Sequence, residues 1–386
     1  MTFEPFDFHA YGGLNSETFC QFLVHCARHN VSDIFIQGGG PLVVDVYGRK
    51  VRASVFRVEP PQLQRLMDEV FSEQIKGELK AGRGIDRTLQ LTGDMAQRHG
   101  LARGERLRFR CNFVQATIGD YDTVPALTLR TIPTVIPALE SLGLEADLFP
   151  ALLPHKGIGL VVGETGSGKS TLLAAIYQYC ALNDPDRKIV TAEDPIEFLL
   201  NFPGAVLMPE QSEIGRDIPT FAEHLRLTLR RAPGVIGVGE IRDPETLSGA
   251  VMNGQSGHLC LSTMHTNSPG ETIPRALMLV PEGQREAMAG NLLSNLQYVI
   301  AQRLLRTTNG KRQAVREYLV FDDHVRHELG KLPYTQWRNW IDTHLAGLGR
   351  RMSDIAWRLY REAQIDRREL LTVISEREIA RREATT

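Results

Sequence analysis

Gly163-Glu164-Thr165-Gly166-Ser167-Gly168-Lys169-Ser170 has the spacing G-x-x-x-x-G-K-S, and its reading decides the fold. This is the pattern of a phosphate-binding loop, in which glycines let the backbone turn its N–H groups inward around a phosphate chain. The flanks supply the context the pattern needs. Gly157-Ile158-Gly159-Leu160-Val161-Val162 reads as a short buried strand leading in, and Thr171-Leu172-Leu173-Ala174-Ala175-Ile176-Tyr177 as helix formers leading out. The helix N-terminus adds positive potential. In such a loop the Lys169 ammonium reaches the β- and γ-phosphates and the Ser170 hydroxyl ligates Mg²⁺.

A chain of 386 residues predicts about two or three domains. With 42% hydrophobic and 23% charged residues, it has the make-up of a globular protein and not of a disordered or fibrous one. A net charge of −2 gives no global electrostatic case for nucleic acid, although it leaves a local basic groove open. Met1-Thr2-Phe3-Glu4-Pro5 has neither a basic nor an apolar region of the secretory kind, so it does not read as a signal peptide. No stretch approaches the roughly 18 uncharged apolar residues of a membrane span. Cys20, Cys26, Cys111, Cys180 and Cys260 form no C-x-x-C pair. An odd, scattered set reads as reduced thiols in a cytoplasmic protein, with Cys260 in a core strand.

Working outward from the loop, residues 1 to about 13 read as a loose lead-in. The spacing of Phe19, Phe22, Leu23, Cys26 and Ala27 predicts a helix over 15–28, broken by Ser32-Asp33. Ile34–Gln37 and Leu42–Tyr47 read as strands joined by a hairpin turn at Gly38-Gly39-Gly40-Pro41. Pro60 to Phe71 reads as a helix with proline in its first turn, and Arg106 to Ala116 as a strand. This predicts an α+β domain over 1–130. Thr131-Ile132-Pro133-Thr134-Val135-Ile136-Pro137 reads as a linker, since each proline restricts itself and its predecessor to extended forms. Over 138–386 apolar strands alternate with helices, as in an α/β nucleotide-binding domain. From about 331 to 386 the pattern turns helical, ending in a charged tail over 376–386 expected to be exposed.

Hydrolysis of a nucleotide needs a carboxylate that orients water or takes its proton, and another near the metal. Two acidic clusters follow apolar runs: Ile189-Val190-Thr191-Ala192-Glu193-Asp194-Pro195-Ile196-Glu197 and Val235-Ile236-Gly237-Val238-Gly239-Glu240-Ile241-Arg242-Asp243. In an open parallel sheet ligands bind beyond the carboxyl ends of the strands, so Glu193, Asp194, Glu197 and Glu240 are candidates to converge on the γ-phosphate. Glu193 and Glu240 are also candidates, with Ser170, for the metal. For Glu197 and Asp243, capping a turn or pairing with arginine is an open alternative. Gly257-His258-Leu259-Cys260-Leu261-Ser262-Thr263-Met264-His265-Thr266 reads as a third strand with a histidine at each end. His258 and His265 are expected to sense or relay the state of the γ-phosphate.

Taken together, these four boxes resemble the PilT/VirB11/GspE superfamily of secretion and pilus ATPases. Gly163–Ser170 matches its Walker A box and Thr191–Glu197 its Asp box. Gly239-Glu240-Ile241-Arg242-Asp243 is similar to its atypical Walker B, with glycine for the usual aspartate, and Gly257–Thr266 matches its His box. Ser32-Asp33-Ile34-Phe35-Ile36, Arg108-Phe109-Arg110-Cys111-Asn112 and Arg130-Thr131-Ile132-Pro133 are similar to segments of pilus retraction ATPases. The resemblance covers most of residues 30–300. Beyond it, the A-I-R-N-L-I-R-E segment of pilus retraction ATPases is missing. Glu317-Tyr318-Leu319-Val320-Phe321-Asp322 and Gly349-Arg350-Arg351-Met352-Ser353-Asp354-Ile355-Ala356-Trp357 look like the DotB branch. That branch holds the ATPases of type IVB (Dot/Icm) secretion and of IncI-type conjugation.

The resemblance implies a PAS-like N-terminal domain, a linker and a RecA-like P-loop ATPase domain with a helical C-terminal portion. It implies a homo-hexamer using ATP and Mg²⁺, with ATP held by Gly163, Glu164, Thr165, Gly166, Ser167, Gly168, Lys169, Ser170 and Thr171. Arg108, Arg110 and Arg130 match the family's arginines that reach the triphosphate, strand-surface ion pairs being the other reading of each. The implied partners are an inner-membrane secretion complex and its cytoplasmic ATPases of the DotO-like or VirB4-like kind. The protein itself would be cytoplasmic, meet the membrane only through partners, and bind no nucleic acid sequence-specifically. A pilus retraction motor is the alternative in the same class; a RecA-like nucleic-acid translocase is the alternative outside it.

Overall fold

The computed structural model describes residues 3–132 and 134–385. Met1 and Thr2 of the expected lead-in, Pro133 of the expected linker and Thr386 of the tail lie outside the described residues. The chain divides between Val135 and Ile136 into two units.

The first unit holds α1 (Ser16–Arg28), β1 (Val31–Gln37), β2 (Val43–Val46), β3 (Arg49–Arg52), α2 (Pro60–Val70), α3 (Gln74–Lys80), β4 (Ile85–Thr92), β5 (Arg106–Ile118) and β6 (Tyr121–Ile132). Asn15 starts α1 with a capping box: its side chain accepts from Thr18 N, and the Thr18 hydroxyl accepts from Asn15 N. Such a cap stabilises a helix by about 1 kcal/mol. The six strands form one antiparallel sheet in the order β3-β2-β1-β6-β5-β4. Side chains alternate along each strand, and this sorts the sheet into two chemistries. Ile34, Ile36, Phe109, Cys111, Phe113, Leu127 and Leu129 are buried with Phe19, Phe22 and Leu23 of α1 and Leu63 and Met67 of α2. Burying each phenylalanine contributes about 2–3 kcal/mol. Arg108 and Arg110 occupy the intervening positions of β5, so they belong to the opposite face.

Three sequence expectations change here. The lead-in is not loose over its described residues, because Phe3 and Phe8 are buried with Phe19 and Phe22. Ser32 and Asp33 do not break the chain; they lie within β1, and the helix stops at His29. Thr131 and Ile132 are not linker, because they close β6, where Ile132 pairs with Arg108 of β5.

The second unit holds β7 (Gly157–Val162), α4 (Lys169–Asn183), β8 (Ile189–Glu193), β9 (Glu210–Glu213), α5 (Phe221–Thr228), β10 (Val235–Val238), α6 (Pro244–Gln255), β11 (Leu259–Met264), α7 (Pro269–Leu277) and α8 (Arg285–Asn295). It continues with β12 (Leu296–Arg306), β13 (Arg312–Val320), α9 (Asp323–Gly330), α10 (Tyr334–Gly347), α11 (Met352–Arg361), α12 (Arg367–Leu370) and α13 (Glu376–Thr385). The strand order is β13-β12-β7-β11-β10-β8-β9. Every neighbouring pair is parallel except β12–β13. The central strands are apolar on both faces, as a sheet covered on both sides requires. One face, with Val161, Leu259, Leu261, Tyr298 and Ile300, packs on α4. The other, with Leu160, Val162, Ile236 and Cys260, packs on residues of α5 to α10. All five cysteines are buried free thiols.

The helical C-terminal portion starts earlier than about 331 and is not one body. α9 and α10 join the main core through Leu329, Trp337 and Ile341. α11 to α13 instead cover Leu305 and Val315 on the β12–β13 hairpin. The charged tail is not simply exposed: Ile379 is fully buried, and Arg382 pairs with Asp354 and Glu378. A single apolar residue in a charged run is enough to seat one helical face.

Candidate functional site

The phosphate-binding loop leaves the carboxyl end of β7 and enters α4 at Lys169. Three of its glycines take positive φ: Gly163 (146°), Gly166 (81°) and Gly168 (86°). A side chain is strained at such angles. At Gly163 it would also strike Ser167 Oγ, 2.7 Å from an added Cβ, and the Gln302 carbonyl. The glycines are thus required by close approach as well as by conformation. Lys169 is buried, and its Nζ donates to Gly163 O at 2.7 Å and Glu164 O at 2.9 Å. Burial, the larger effect, pulls the ammonium below its ordinary range against the opposing charges of Glu240, Glu197 and Glu164. Ser167 Oγ is buried with no hydrogen-bond partner. An unsatisfied buried hydroxyl in a loop rich in N–H donors and beside a cation suits an anionic, oxygen-rich ligand.

The carboxyl edge of the sheet gathers most of the expected residues. Glu193 ends β8. Its Oε1 accepts from Thr191 Oγ1 at 3.0 Å and Gln211 Nε2 at 2.9 Å, and its Oε2 from Glu197 N at 3.4 Å. Burial raises its pKa, and those donors oppose the rise. Glu193 and Ser170 line one small cavity with Tyr177, Thr191, Gly239 and Thr263. Glu240 lies just past β10, on a turn pinned to the end of β11: Thr263 Oγ1 donates to Gly239 O at 2.6 Å, and Ile241 N donates to Thr263 O at 3.0 Å. Glu240 Oε1 is 3.6 Å from His265 Nε2. Of the carboxylates that oppose the effect of burial on Lys169, Glu240 acts most strongly. The loop, Ser170, both glutamates and His265 therefore share one edge, as a ligand site in an open parallel sheet demands.

Other residues go elsewhere. His258 precedes β11 at the amino edge, where its Nδ1 donates to Asn253 O at 3.3 Å. Six residues of extended strand separate it from His265, roughly 20 Å of chain. Within one chain the two histidines therefore lie at opposite edges, and only His265 is on the edge that carries the loop. Asp243 accepts from Thr246 N at 2.7 Å and is the N-cap of α6. Asp194 faces Arg242, 3.4 Å away. In the first unit Arg110 and Arg130 are direct cross-strand partners, and Arg108 is two residues from Arg110. The three arginines share a sheet face. Arg130 also donates to Asp33 at 2.7 Å, which realises the ion-pair reading for that residue.

Sequence reasoning missed Thr191, Gln211 and Thr263, which hold the carboxylate-bearing turns, and Gln302 and Arg316 behind the loop. The last two carried a signal. Each is a polar residue at a buried position of an apolar strand, Ile300-Ala301-Gln302 and Ala314-Val315-Arg316, and burial of such groups demands partners.

Residues 100–336 match the family model described as type II/IV secretion system protein. The type IV pilus ATPase PilU of Pseudomonas aeruginosa is 33% identical over 290 residues, covering 75% of this chain and 71% of that protein. The ATPase DotB of Legionella pneumophila superposes with a TM-score of 0.84 at 32% identity, over 93% of this chain and 96% of that one. The pilus retraction motor PilT with bound ADP superposes with a TM-score of 0.76 at 29% identity, over 94% and 98%. The second unit accordingly has the α/β architecture of a RecA-like ATPase domain with a helical C-terminal portion. The chain belongs to the type II/IV secretion system protein family of ATPases.

Proposed function

We propose that this chain is a Mg²⁺-dependent, ATP-hydrolysing motor that works as a hexameric ring at the cytoplasmic face of the inner membrane and powers type IVB secretion or conjugative transfer. The observation that carries the reading is the likeness to DotB, which superposes with a TM-score of 0.84 at 32% identity against 0.76 at 29% for PilT over a nearly equal share of the chain. The partners would be the inner-membrane complex and its ATPases, with membrane contact through them; among the described residues no helix is long and apolar enough to cross a membrane.

The residues present suit ATP and Mg²⁺. Loop N–H groups from Gly163 to Thr171 would bind the phosphates, and Lys169 would exchange its two carbonyl partners for phosphate oxygens. Ser170 would hold Mg²⁺, which usually takes only one or two protein ligands beside phosphates and water. When bound there, Mg²⁺ would supply positive charge that offsets the charge of the phosphates. Glu240, whose charge acts on Lys169 through space and which is not held by the three donors that hold Glu193, would orient the attacking water. Glu193 would support the metal side of the site, and His265 would report on the γ-phosphate through Glu240. Arg108, Arg110 and Arg130 are proposed to meet the triphosphate, guanidinium forks being suited to spread phosphoryl charge.

Pilus retraction is the second reading, favoured by the likeness to PilT. Deleting the gene in its own bacterium tests the choice. Loss of substrate or DNA transfer with twitching intact is the expected result. Loss of twitching with transfer intact would replace the type IVB reading with pilus retraction.

A further inference from the structure

Behind the phosphate-binding loop a buried cation does no obvious work. Arg316 of β13 is 1% exposed. Its Nε donates to Gln302 Oε1 at 2.9 Å, Nη1 to Gly143 O at 3.1 Å and Nη2 to Leu142 O at 3.0 Å. All three acceptors are neutral, and Glu145 acts on the guanidinium only through space. Taking a guanidinium out of water without an ion pair is costly. A fork that fits three fixed oxygens is also highly directional.

The second link is Gln302, 4% exposed and the direct cross-strand partner of Arg316. A guanidinium only donates, so the amide must turn its oxygen towards Arg316. Its Nε2 is then committed to Ser167 O, 2.9 Å away. Ser167 sits between Gly166 and Gly168, both at positive φ, where the backbone has few restraints of its own. In a planar trans peptide the carbonyl and the following N–H point in opposite directions. Holding Ser167 O against Gln302 therefore aims Gly168 N–H away from Gln302, to the open side of the loop. The fit at this point is tight: a Cβ added to Gly168 would lie 2.9 Å from Gln302 Nε2.

We propose that Gln302 and Arg316 are positioning residues that hold the Ser167–Gly168 peptide in its phosphate-accepting orientation and fasten it to the Leu142–Gly143 turn near the start of the second unit. This rests on the reading of the loop as an ATP site. Neither residue touches the nucleotide; each acts through the peptide it orients.

The test measures Kd for ADP with Mg²⁺, KM and kcat for ATP, and thermal stability, on the full chain. Gln302→Met removes both ends of the amide. Gln302→Glu keeps an acceptor for Arg316 but sets a carboxylate against Ser167 O. Arg316→Met leaves Gln302 unoriented. Each is expected to weaken ADP binding and raise KM about tenfold, the scale of one lost buried hydrogen bond. Gln302→Glu should do so with a smaller fall in Tm than Gln302→Met, because its carboxylate keeps the bond to Arg316. The Gln302→Met/Arg316→Met pair should lose no more than either single change, because both act on one peptide. Wild-type Kd and KM in Gln302→Glu would overturn the inference, as would Met variants that only lower Tm. If Arg316→Met does not fold, Gln302→Glu decides alone. A wild-type protein that binds no ADP would instead refute the ATP reading beneath it.

Discussion

Glu193 and Glu240 share an edge of the sheet but not a situation. Glu193 is held by Thr191, Gln211 and the Glu197 amide; Glu240 lies 3.6 Å from His265 and acts on Lys169 through space. A water-positioning carboxylate must be free to accept from water, which favours Glu240. Glu240→Gln is expected to cut kcat at least about 100-fold while leaving ADP affinity within about twofold, the pattern of a group felt mainly in the transition state. Glu193→Gln should cost less in kcat and more in Mg²⁺ dependence. A rate profile with the two reversed, read by phosphate release across a Mg²⁺ titration, would exchange their roles. At this scale the loop residues were legible because glycine spacing and lysine chemistry are local. The fate of His258 was not. Which strand end meets the site depends on strand direction in the assembled sheet, and no local pattern records that.

Elements show the same divide. The helix over 15–28 was legible from its periodicity and β7 from its short apolar run. β6 was not: Pro125 lies within it, and Thr131-Ile132 have the extended backbone of a linker until β5 pairs with them. The β13–α11 junction makes a prediction of its own. Buried Glu317 accepts from Met352 N at 2.7 Å at the start of α11. Burial pushes its carboxyl from the ordinary 4.5 up to about 7, against the opposing pulls of that bond and of Arg351. The unfolded chain releases this proton near 4.5, so the protonated carboxyl favours the fold fully below that pH. That contribution is lost as pH rises through about 7. Glu317→Gln keeps the acceptor and removes the titration. At pH 8 it should be more stable than wild type by on the order of 3 kcal/mol, with the gap closing towards pH 4.5; chemical denaturation at both pH values measures it. A gap independent of pH would contradict the assignment.

As a whole molecule, the chain is read as a ring subunit whose nucleotide state drives movement. Glu240→Gln should trap ATP and hold the protein at six times its 43.2 kDa mass in mass photometry with ATP and Mg²⁺, and a mass that never leaves the monomer would count against a ring assembled by nucleotide alone. The fold of the ATPase unit was legible from four boxes in order, because each marks a strand end on one sheet edge. The split of the C-terminal helices between two cores was not, since it depends on which hairpin face each helix covers. A motor of this kind requires that the Gly163–Ser170 loop hydrolyse ATP. Phosphate release from ATP and Mg²⁺ by wild type and Lys169→Ala tests it most directly. Steady release by wild type, with a fall of at least about 100-fold in the variant on loss of charge stabilisation at the γ-phosphate, is the expected result. Equal turnover by the two proteins would contradict the account.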